Sequence, residues 1–138
     1  MLAIRRGVEE DLNAIAEIQS ASPEAAHWNV ADYLGYDLWV AVDDDRVAGF
    51  LVSRALAPGE GELLNLAVDH RSRRGGAGRA LLQAFLAEFP GGAYLEVRES
   101  NAAALNLYKS MGFQEVSKRS EYYESPSEAA IVMKFHSC

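Results

Sequence analysis

Apolar positions recur along the chain at two spacings, and each spacing predicts a type of element. Short apolar runs predict strands over residues 2–5, 38–42, 47–55, 62–68 and 93–98, and two more over 113–119 and 129–135. Helical spacing predicts helices over residues 9–20, 78–89 and 101–111, and a short helix near 30–34. Ser100 is expected to cap the helix over 101–111. Tyr122 and Tyr123 are expected in a polar loop between the last two strands.

The order of these elements predicts an α+β fold. Most strands follow one another through turns and are expected to pair antiparallel, whereas the strand–helix–strand unit over residues 62–98 requires a parallel pair. We therefore predict a single domain over residues 1–138. Its sheet should be mixed but mostly antiparallel, with about six to seven strands.

Charge and composition exclude several classes of function. The chain has 20 acidic and 13 basic residues, which gives a net charge of −7 and argues against general nucleic-acid binding. No apolar run approaches the roughly 20 residues that span a bilayer. Cys138 is the only cysteine, so it forms no internal disulfide, and the three histidines have no metal-ligand spacing. We expect a cytoplasmic protein without a metal, and without a nucleic-acid or membrane partner.

A glycine-rich loop separates the predicted strand over 62–68 from the predicted helix over 78–89. Its arginines are Arg71, Arg73, Arg74 and Arg79. A loop of this kind before a helix presents several backbone N–H groups to a phosphate. The loop lacks the Lys-Ser/Thr end of a nucleotide triphosphatase, and Leu81 stands where a dinucleotide site needs glycine. A glycine-rich surface turn with solvated arginines is the alternative.

Two segments carry a resemblance to a known family. The spacing Arg73-x-x-Gly76-x-Gly78 resembles the coenzyme A signature of the GNAT acyltransferases, and residues 95–113 resemble the family's second signature. Within the family the chain is most similar to the ribosomal-protein-alanine N-acetyltransferases, since Tyr122 and Tyr123 match the tail of that group. The resemblance covers nearly the whole chain. It implies a GNAT fold with helices on both faces of the sheet, and acetyl-CoA as the cosubstrate.

The resemblance also implies a coenzyme site. Amides of the loop would bind the pyrophosphate of coenzyme A, and the strand over 62–68 would pair with the pantetheine arm. The residues implied are Leu66, Ala67, Val68, Arg73, Arg74, Gly75, Gly76, Ala77, Gly78, Arg79, Asn101 and Tyr108. The amide of Ala67 or Val68, freed by a bulge, is the expected oxyanion donor.

Glu96 and Tyr108 are the candidate catalytic residues. Acetyl transfer to an amine requires removal of a proton from the amine and protonation of the departing thiolate. With the resemblance, Glu96 is the base, acting through a water, and Tyr108 is the acid. Without it, Glu96 is an ion-pair partner of Arg98 or Arg119, and Tyr108 is a core aromatic beside Phe113.

The sequence identifies the acceptor of the acetyl group less closely than it identifies the coenzyme. At pH 7 roughly one α-amine in ten is neutral, against fewer than about one lysine in a thousand, so a single modest base suits an α-amine. The resemblance implies the N-terminus of a ribosomal protein, attacked directly in a ternary complex, with Trp28, Tyr122 and Tyr123 around it. Trp28 can equally be a core residue. Acetylation of a small amine and a non-catalytic coenzyme A-binding module are the alternatives. We expect a monomer or weak dimer.

Overall fold

Seven strands and three α-helices occur in the part of the chain that the structure describes. The computed structural model describes residues 1–23, 25–73, 75–124 and 127–136, with the backbone alone at 120–124 and 127. The strands are β1 Leu2–Arg6, β2 Asp37–Asp43, β3 Arg46–Ala57, β4 Glu60–Val68, β5 Gly92–Arg98, β6 Gln114–Glu124 and β7 Ser127–Phe135. The helices are α1 Leu12–Ser20, α2 Ala77–Glu88 and α3 Ala102–Ser110. None of the described helices is long and apolar enough to cross a bilayer.

One sheet contains all seven of these strands, in the order β1-β2-β3-β4-β5-β7-β6. Neighbouring strands are antiparallel except β4 and β5, which pair in parallel. Helix α2 connects these two strands, because a parallel pair needs a crossover. The prediction of a mixed, mostly antiparallel sheet is confirmed.

Helices cover both faces of the sheet, as predicted. Val40 and Phe50 belong to a hydrophobic cluster with α1, whereas the adjacent Ala41 and Leu51 belong to a cluster with α2 and α3. Successive side chains of a strand point to opposite faces, so the two clusters lie on opposite sides. We call these sides the α1 face and the α2 face.

Helix α2 forms because its apolar residues recur on one side. Leu81, Leu82 and Phe85 are fully buried against the α2 face of the sheet. Burial of each such side chain stabilises the fold by roughly 1.5–3 kcal/mol. This packing fixes the N-terminus of α2 against the end of β4.

Strands β4 and β5 pair along only their first halves. Residues 60–63 of β4 pair with residues 92–95 of β5. The strands continue to Val68 and Arg98, but these described ends make no further pairs with each other. A gap therefore opens in the sheet between the C-terminal halves of β4 and β5.

A bulge in β4 lies next to this gap. Val52 of β3 is opposite Asn65, whereas the next residue, Ser53, is opposite Leu63, so Leu64 is an extra residue. Leu63 and Leu66 consequently both pack on the α2 face although they are three positions apart. Asn65 points to the α1 face instead.

Three local predictions are wrong. The helix predicted over 9–20 begins as a 3-10 turn, Glu9–Asp11, before α1. Asn101 rather than Ser100 caps α3, because its Oδ1 accepts a hydrogen bond from the amide of Ala104 at 3.2 Å. Tyr122 and Tyr123 lie within strand β6 rather than in a loop, because β6 and β7 continue to pair beyond the apolar runs that predicted them.

Candidate active site

The glycine-rich loop leads into the N-terminus of α2. Gly76 precedes the first helical residue and has φ of 87°, a left-handed conformation that residues with a Cβ rarely adopt. The N–H groups of residues 77–79 have no intrahelical partner, because the first bond of α2 joins the amide of Ala80 to the carbonyl oxygen of Gly76 at 2.9 Å. Gly76 provides no side-chain cap for them. A helix N-terminus with free amides favours an anion.

The three described arginines of this loop have different partners. Arg71 donates to Asp69, from Nη2 at 2.8 Å and from its backbone N–H at 2.9 Å. Arg79 donates to Oγ of Ser110 at 3.0 Å. Arg73 Nε lies 3.4 Å from the carbonyl oxygen of Val68, and Arg74 lies outside the described residues. Arg71 therefore stabilises the loop itself, whereas Arg73 and Arg79 line a cleft.

Asp69 fixes the start of the loop. Hydrogen bonds from Arg71 hold the pKa of this carboxyl well below its usual range, and the charge of Arg46 adds to the effect. Arg46 Nη1 lies 3.0 Å from Oδ2 of Asp69, and Arg46 Nη2 donates to Oγ of Ser72 at 3.1 Å. The loop is thus tied to the first residue of β3.

A cleft of about 530 Å³ lies between the end of β4, the loop and α3, and we call it the loop cleft. The predicted coenzyme-binding residues that line it are Leu66, Ala67, Val68, Arg73, Gly76, Ala77, Gly78, Arg79, Asn101 and Tyr108. Gly75 does not line it. Ser72, Ala103, Ala104 and Leu107 also line it and were not predicted. Ala104 follows Asn101 by three positions and Leu107 follows Ala104 by three, so helical spacing could have identified these two but not Ala103.

A second cleft of about 840 Å³ lies over the gap between β4 and β5, and we call it the gap cleft. Residues 25–28 and Tyr36 line one side of it, and Glu62, Leu64, Asn65, Glu96 and Arg98 line another. Trp28 is 45% exposed, so its alternative placement in the core is wrong. Leu66, Asn101 and Tyr108 line both clefts, which are therefore continuous.

Glu96 lies on the α1 face of β5, because Leu95 and Val97 on either side of it pack on the α2 face. Its Oε1 accepts a hydrogen bond from Nη1 of Arg119 at 2.7 Å. This is the ion pair that the sequence allows as an alternative role, whereas Arg98 pairs with Glu128. The Glu96 side chain is 26% exposed and also lines the gap cleft, so the ion pair leaves it accessible.

Tyr108 is the residue at which the two clefts meet. It is 5% exposed, and its ring packs against Phe113 with the ring centroids 5.7 Å apart. The amide of Phe113 donates to the carbonyl oxygen of Tyr108 at 3.0 Å. Tyr108 is therefore both a core aromatic and a lining residue of the site, and its packing holds the side chain in one place.

The backbone N–H groups at the end of β4 alternate between β3 and the gap. The amide of Asp69 donates to Ala48 of β3 at 2.7 Å, so the N–H groups of Val68 and Leu66 point toward the gap and that of Ala67 toward β3. Of the two amides predicted as oxyanion donors, only that of Val68 faces the gap. The bulge lies at Leu64, upstream of both, because the register with β3 shifts there.

Asn65 is a site residue that the sequence analysis missed. It is 4% exposed and lines the gap cleft, at the bulge. The available signal was a lone polar residue in the apolar run over 63–68, since a buried amide needs hydrogen-bond partners.

Metal-ligating side chains do not cluster in the described part of the chain. No group of three or more histidine, cysteine, aspartate or glutamate residues there is placed to hold a metal ion.

Comparisons with known proteins agree with this geometry. The acetyltransferase (GNAT) family matches residues 6–113. The [ribosomal protein bS18]-alanine N-acetyltransferase of Salmonella typhimurium is 42% identical over 96 residues, 65% of this chain and 64% of that protein. The matched region thus spans a little under two thirds of that relative. The Haemophilus ducreyi protein of the same name is 30% identical over 141 residues, 94% of this chain and 96% of that protein.

A solved structure shows the same architecture. The crystal structure of the ribosomal-protein-S18-alanine N-acetyltransferase from Escherichia coli has a TM-score of 0.85 and 31% sequence identity to this chain. It covers 99% of this chain and 94% of its own. These comparisons confirm the resemblance, the fold and the prediction of an acetyl-CoA-dependent acetyltransferase. The chain belongs to the GNAT family of acetyltransferases.

Proposed function

We propose that this chain transfers the acetyl group of acetyl-CoA to the N-terminal α-amine of a protein, by direct attack in a ternary complex. The observation that carries this proposal is the junction of the two clefts at Leu66 and Tyr108. A donor in one cleft and an acceptor in the other can meet there without a covalent enzyme intermediate. The junction also lies beside Glu96.

The loop cleft suits coenzyme A. Free amides of residues 77–79 and the side chain of Arg73 would hold the diphosphate, where the helix dipole favours negative charge. Gly78 keeps this end of α2 close to α3, because a Cβ there would lie 3.2 Å from Cδ2 of Leu107. Bound acetyl-CoA supplies the thioester, and the carbonyl oxygens of Leu66 and Val68, which face the gap, would accept hydrogen bonds from its extended arm.

Two residues would carry out the two proton transfers of the reaction. Glu96 would take the proton of the α-ammonium, through a water, and Tyr108 would donate a proton to the thiolate. The amide of Val68 would stabilise the carbonyl oxygen as it becomes negative.

The gap cleft suits a chain terminus as the acceptor. Trp28 would contact the first residues of the acceptor, and the roles predicted for Tyr122 and Tyr123 concern side chains outside the described part of the structure. The names of the relatives support a ribosomal protein as the acceptor, and hence a cytoplasmic enzyme. The chain would act as a monomer or weak dimer. The net charge of −7 favours a basic acceptor.

Purified full chain, acetyl-CoA and three kinds of acceptor test this proposal. The acceptors are a basic peptide with a free N-terminal alanine, the same peptide blocked at its N-terminus but containing lysine, and a set of small amines. We expect turnover with the free peptide alone. Turnover confined to small amines would indicate a small-molecule acetyltransferase. Tight acetyl-CoA binding without turnover would indicate a non-catalytic binding module.

A further inference from the structure

Asn65 is a buried amide whose orientation depends on the β4 bulge. The extra residue Leu64 reverses the alternation of side chains, so Asn65 points to the α1 face rather than the α2 face. On that side it meets residues 25–28, which line the gap cleft opposite the sheet. We call residues 25–28 the acceptor wall.

Asn65 binds the acceptor wall as a neighbouring strand would. Its Nδ2 donates to the carbonyl oxygen of Ala26 at 2.9 Å, and its Oδ1 accepts from the amide of Ala26 at 3.3 Å. Both backbone groups of Ala26 are therefore bound by one side chain. A carboxamide suits this arrangement, because it offers a donor and an acceptor side by side whatever the pH.

A second contact holds the other end of the wall. Gln19 of α1 donates from Nε2 to the carbonyl oxygen of Trp28 at 2.7 Å. The Tyr33 hydroxyl donates to Oε1 of Gln19 and accepts from Nδ2 of Asn65 at 3.1 Å. Gln19 and Tyr33 are 7% and 0% exposed, so these bonds are shielded from water.

Asn65 also contacts the strand on the donor side. Its Oδ1 accepts from the amide of Leu66 at 3.0 Å, and Leu66 lines both clefts. One side chain thus links the wall beside the acceptor to the strand beside the thioester. The contacts of Asn65 therefore set the distance between the acceptor wall and β4.

We propose that Asn65 is a positioning residue, which holds the acceptor wall at the distance from β4 that lets an acceptor amine reach the thioester. This inference rests on the proposed function. It assigns no proton transfer to Asn65, and its effect is on the acceptor rather than on coenzyme binding.

The substitution Asn65→Asp tests this proposal, because it keeps the shape and the acceptor but removes the donor to Ala26. It also removes the donor to Tyr33 and to Oε1 of Gln19, and it places a carboxylate at a buried position. We expect KM for the peptide acceptor to rise at least about tenfold, the scale of one or more lost buried hydrogen bonds. The Kd of acetyl-CoA should stay within about twofold of wild type, since the loop cleft is unchanged. Amide hydrogen exchange should quicken at residues 25–28.

Asn29→Asp is the matched control. It makes the same chemical change, and adds the same charge, one residue beyond the wall. Asn29 is exposed, and its Oδ1 only accepts, from the amide of Ala31 at 3.1 Å, so an aspartate serves there equally well. Its acceptor KM should match wild type. An equal rise in both variants would overturn the proposal, as would an unchanged KM in Asn65→Asp.

Gln19→Glu repeats the test at Trp28 if Asn65→Asp does not fold. It removes the donor to the Trp28 carbonyl and keeps an acceptor for Tyr33. We expect the same rise in acceptor KM, and an unchanged KM would overturn the proposal.

Two further measurements separate this inference from the proposed function. Hydrogen exchange is measured without substrates, and wild-type turnover is measured first. A wild type that acetylates no peptide would refute the proposed function, whereas unchanged exchange at residues 25–28 in Asn65→Asp would refute this inference alone.

Discussion

Arg119 Nη1 lies 2.7 Å from Oε1 of Glu96, at the edge of the gap cleft. The Arg119 side chain is 53% exposed, and ion pairs of this kind contribute only about 0–1 kcal/mol. A carboxylate held so weakly can exchange a guanidinium for a water or an amine. The ion pair is therefore compatible with both a structural and a catalytic role of Glu96, and the two roles predict different effects when Glu96 is substituted.

Glu96→Gln should lower kcat/KM by about 10²–10⁴ at pH 7, the usual contribution of a general base. Its free energy of unfolding should change by less than about 1 kcal/mol, since the ion pair is exposed. Steady-state kinetics and urea unfolding measure the two effects. Arg119→Gln is the control, because it breaks the pair but keeps the carboxylate, and it should retain most of the activity. Normal kinetics in Glu96→Gln would leave Glu96 with the structural role only.

Tyr108→Phe should reduce kcat by about 10²-fold or more, because it removes the proposed proton donor. The ring and its packing against Phe113 remain, so the Kd of acetyl-CoA should change little. Calorimetry and single-turnover kinetics separate binding from transfer. Equal rates in the two proteins would remove Tyr108 from the mechanism.

Gly76→Ala should weaken acetyl-CoA binding by about five- to thirtyfold. The left-handed conformation at Gly76 costs a residue with a Cβ roughly 1–2 kcal/mol, and relaxing it would turn the amides of α2 away from the diphosphate. Gly35→Ala is the control, because a Cβ there meets no atom within 4 Å and its φ is ordinary. Similar Kd values for the two variants would show that the Gly76 conformation is unimportant for binding.

Asp69→Asn should destabilise the protein at pH 7 by about 1–3 kcal/mol, because it weakens charged hydrogen bonds from Arg71 and Arg46. Folding lowers the pKa of Asp69, so its contribution to stability is present above the unfolded value near 3.9. That contribution is lost as the pH falls through the folded value. The difference between wild type and variant should therefore narrow below about pH 4. Urea unfolding at pH 7, 5 and 3 measures it, and a constant difference would contradict the assignment.

Periodic apolar residues made most of the fold predictable. Leu81, Leu82 and Phe85 recur on one side of a helix and are the residues that pack on the sheet. The cap of α3 was not predictable, because Ser100 and Asn101 are adjacent and both favour that position. A bulge was expected in this strand, but its position at Leu64 was not predictable, since a mostly apolar run carries no regular alternation for a bulge to interrupt.

The residues that line the candidate site were largely predictable from the sequence, whereas the ion-pair and hydrogen-bond partners of its long side chains were less predictable. The loop, Asn101 and Tyr108 line one cleft as expected. The partner of Glu96 depends on β7 lying between β5 and β6, a strand order that local spacing does not determine. Arg71 and Arg79 donate to Asp69 and Ser110, partners that the sequence analysis did not predict, although Arg79 still lines the loop cleft.

The partial pairing of β4 with β5 leaves an opening in the sheet, and in the proposed function one substrate would lie on each side of it. The spent coenzyme would leave past α2, and the acetylated product past α1, so neither blocks the exit of the other. Only the first few residues of the acceptor need to reach the opening. The remainder of a long polymer can stay outside, which suits an enzyme whose acceptor is the tip of a folded protein.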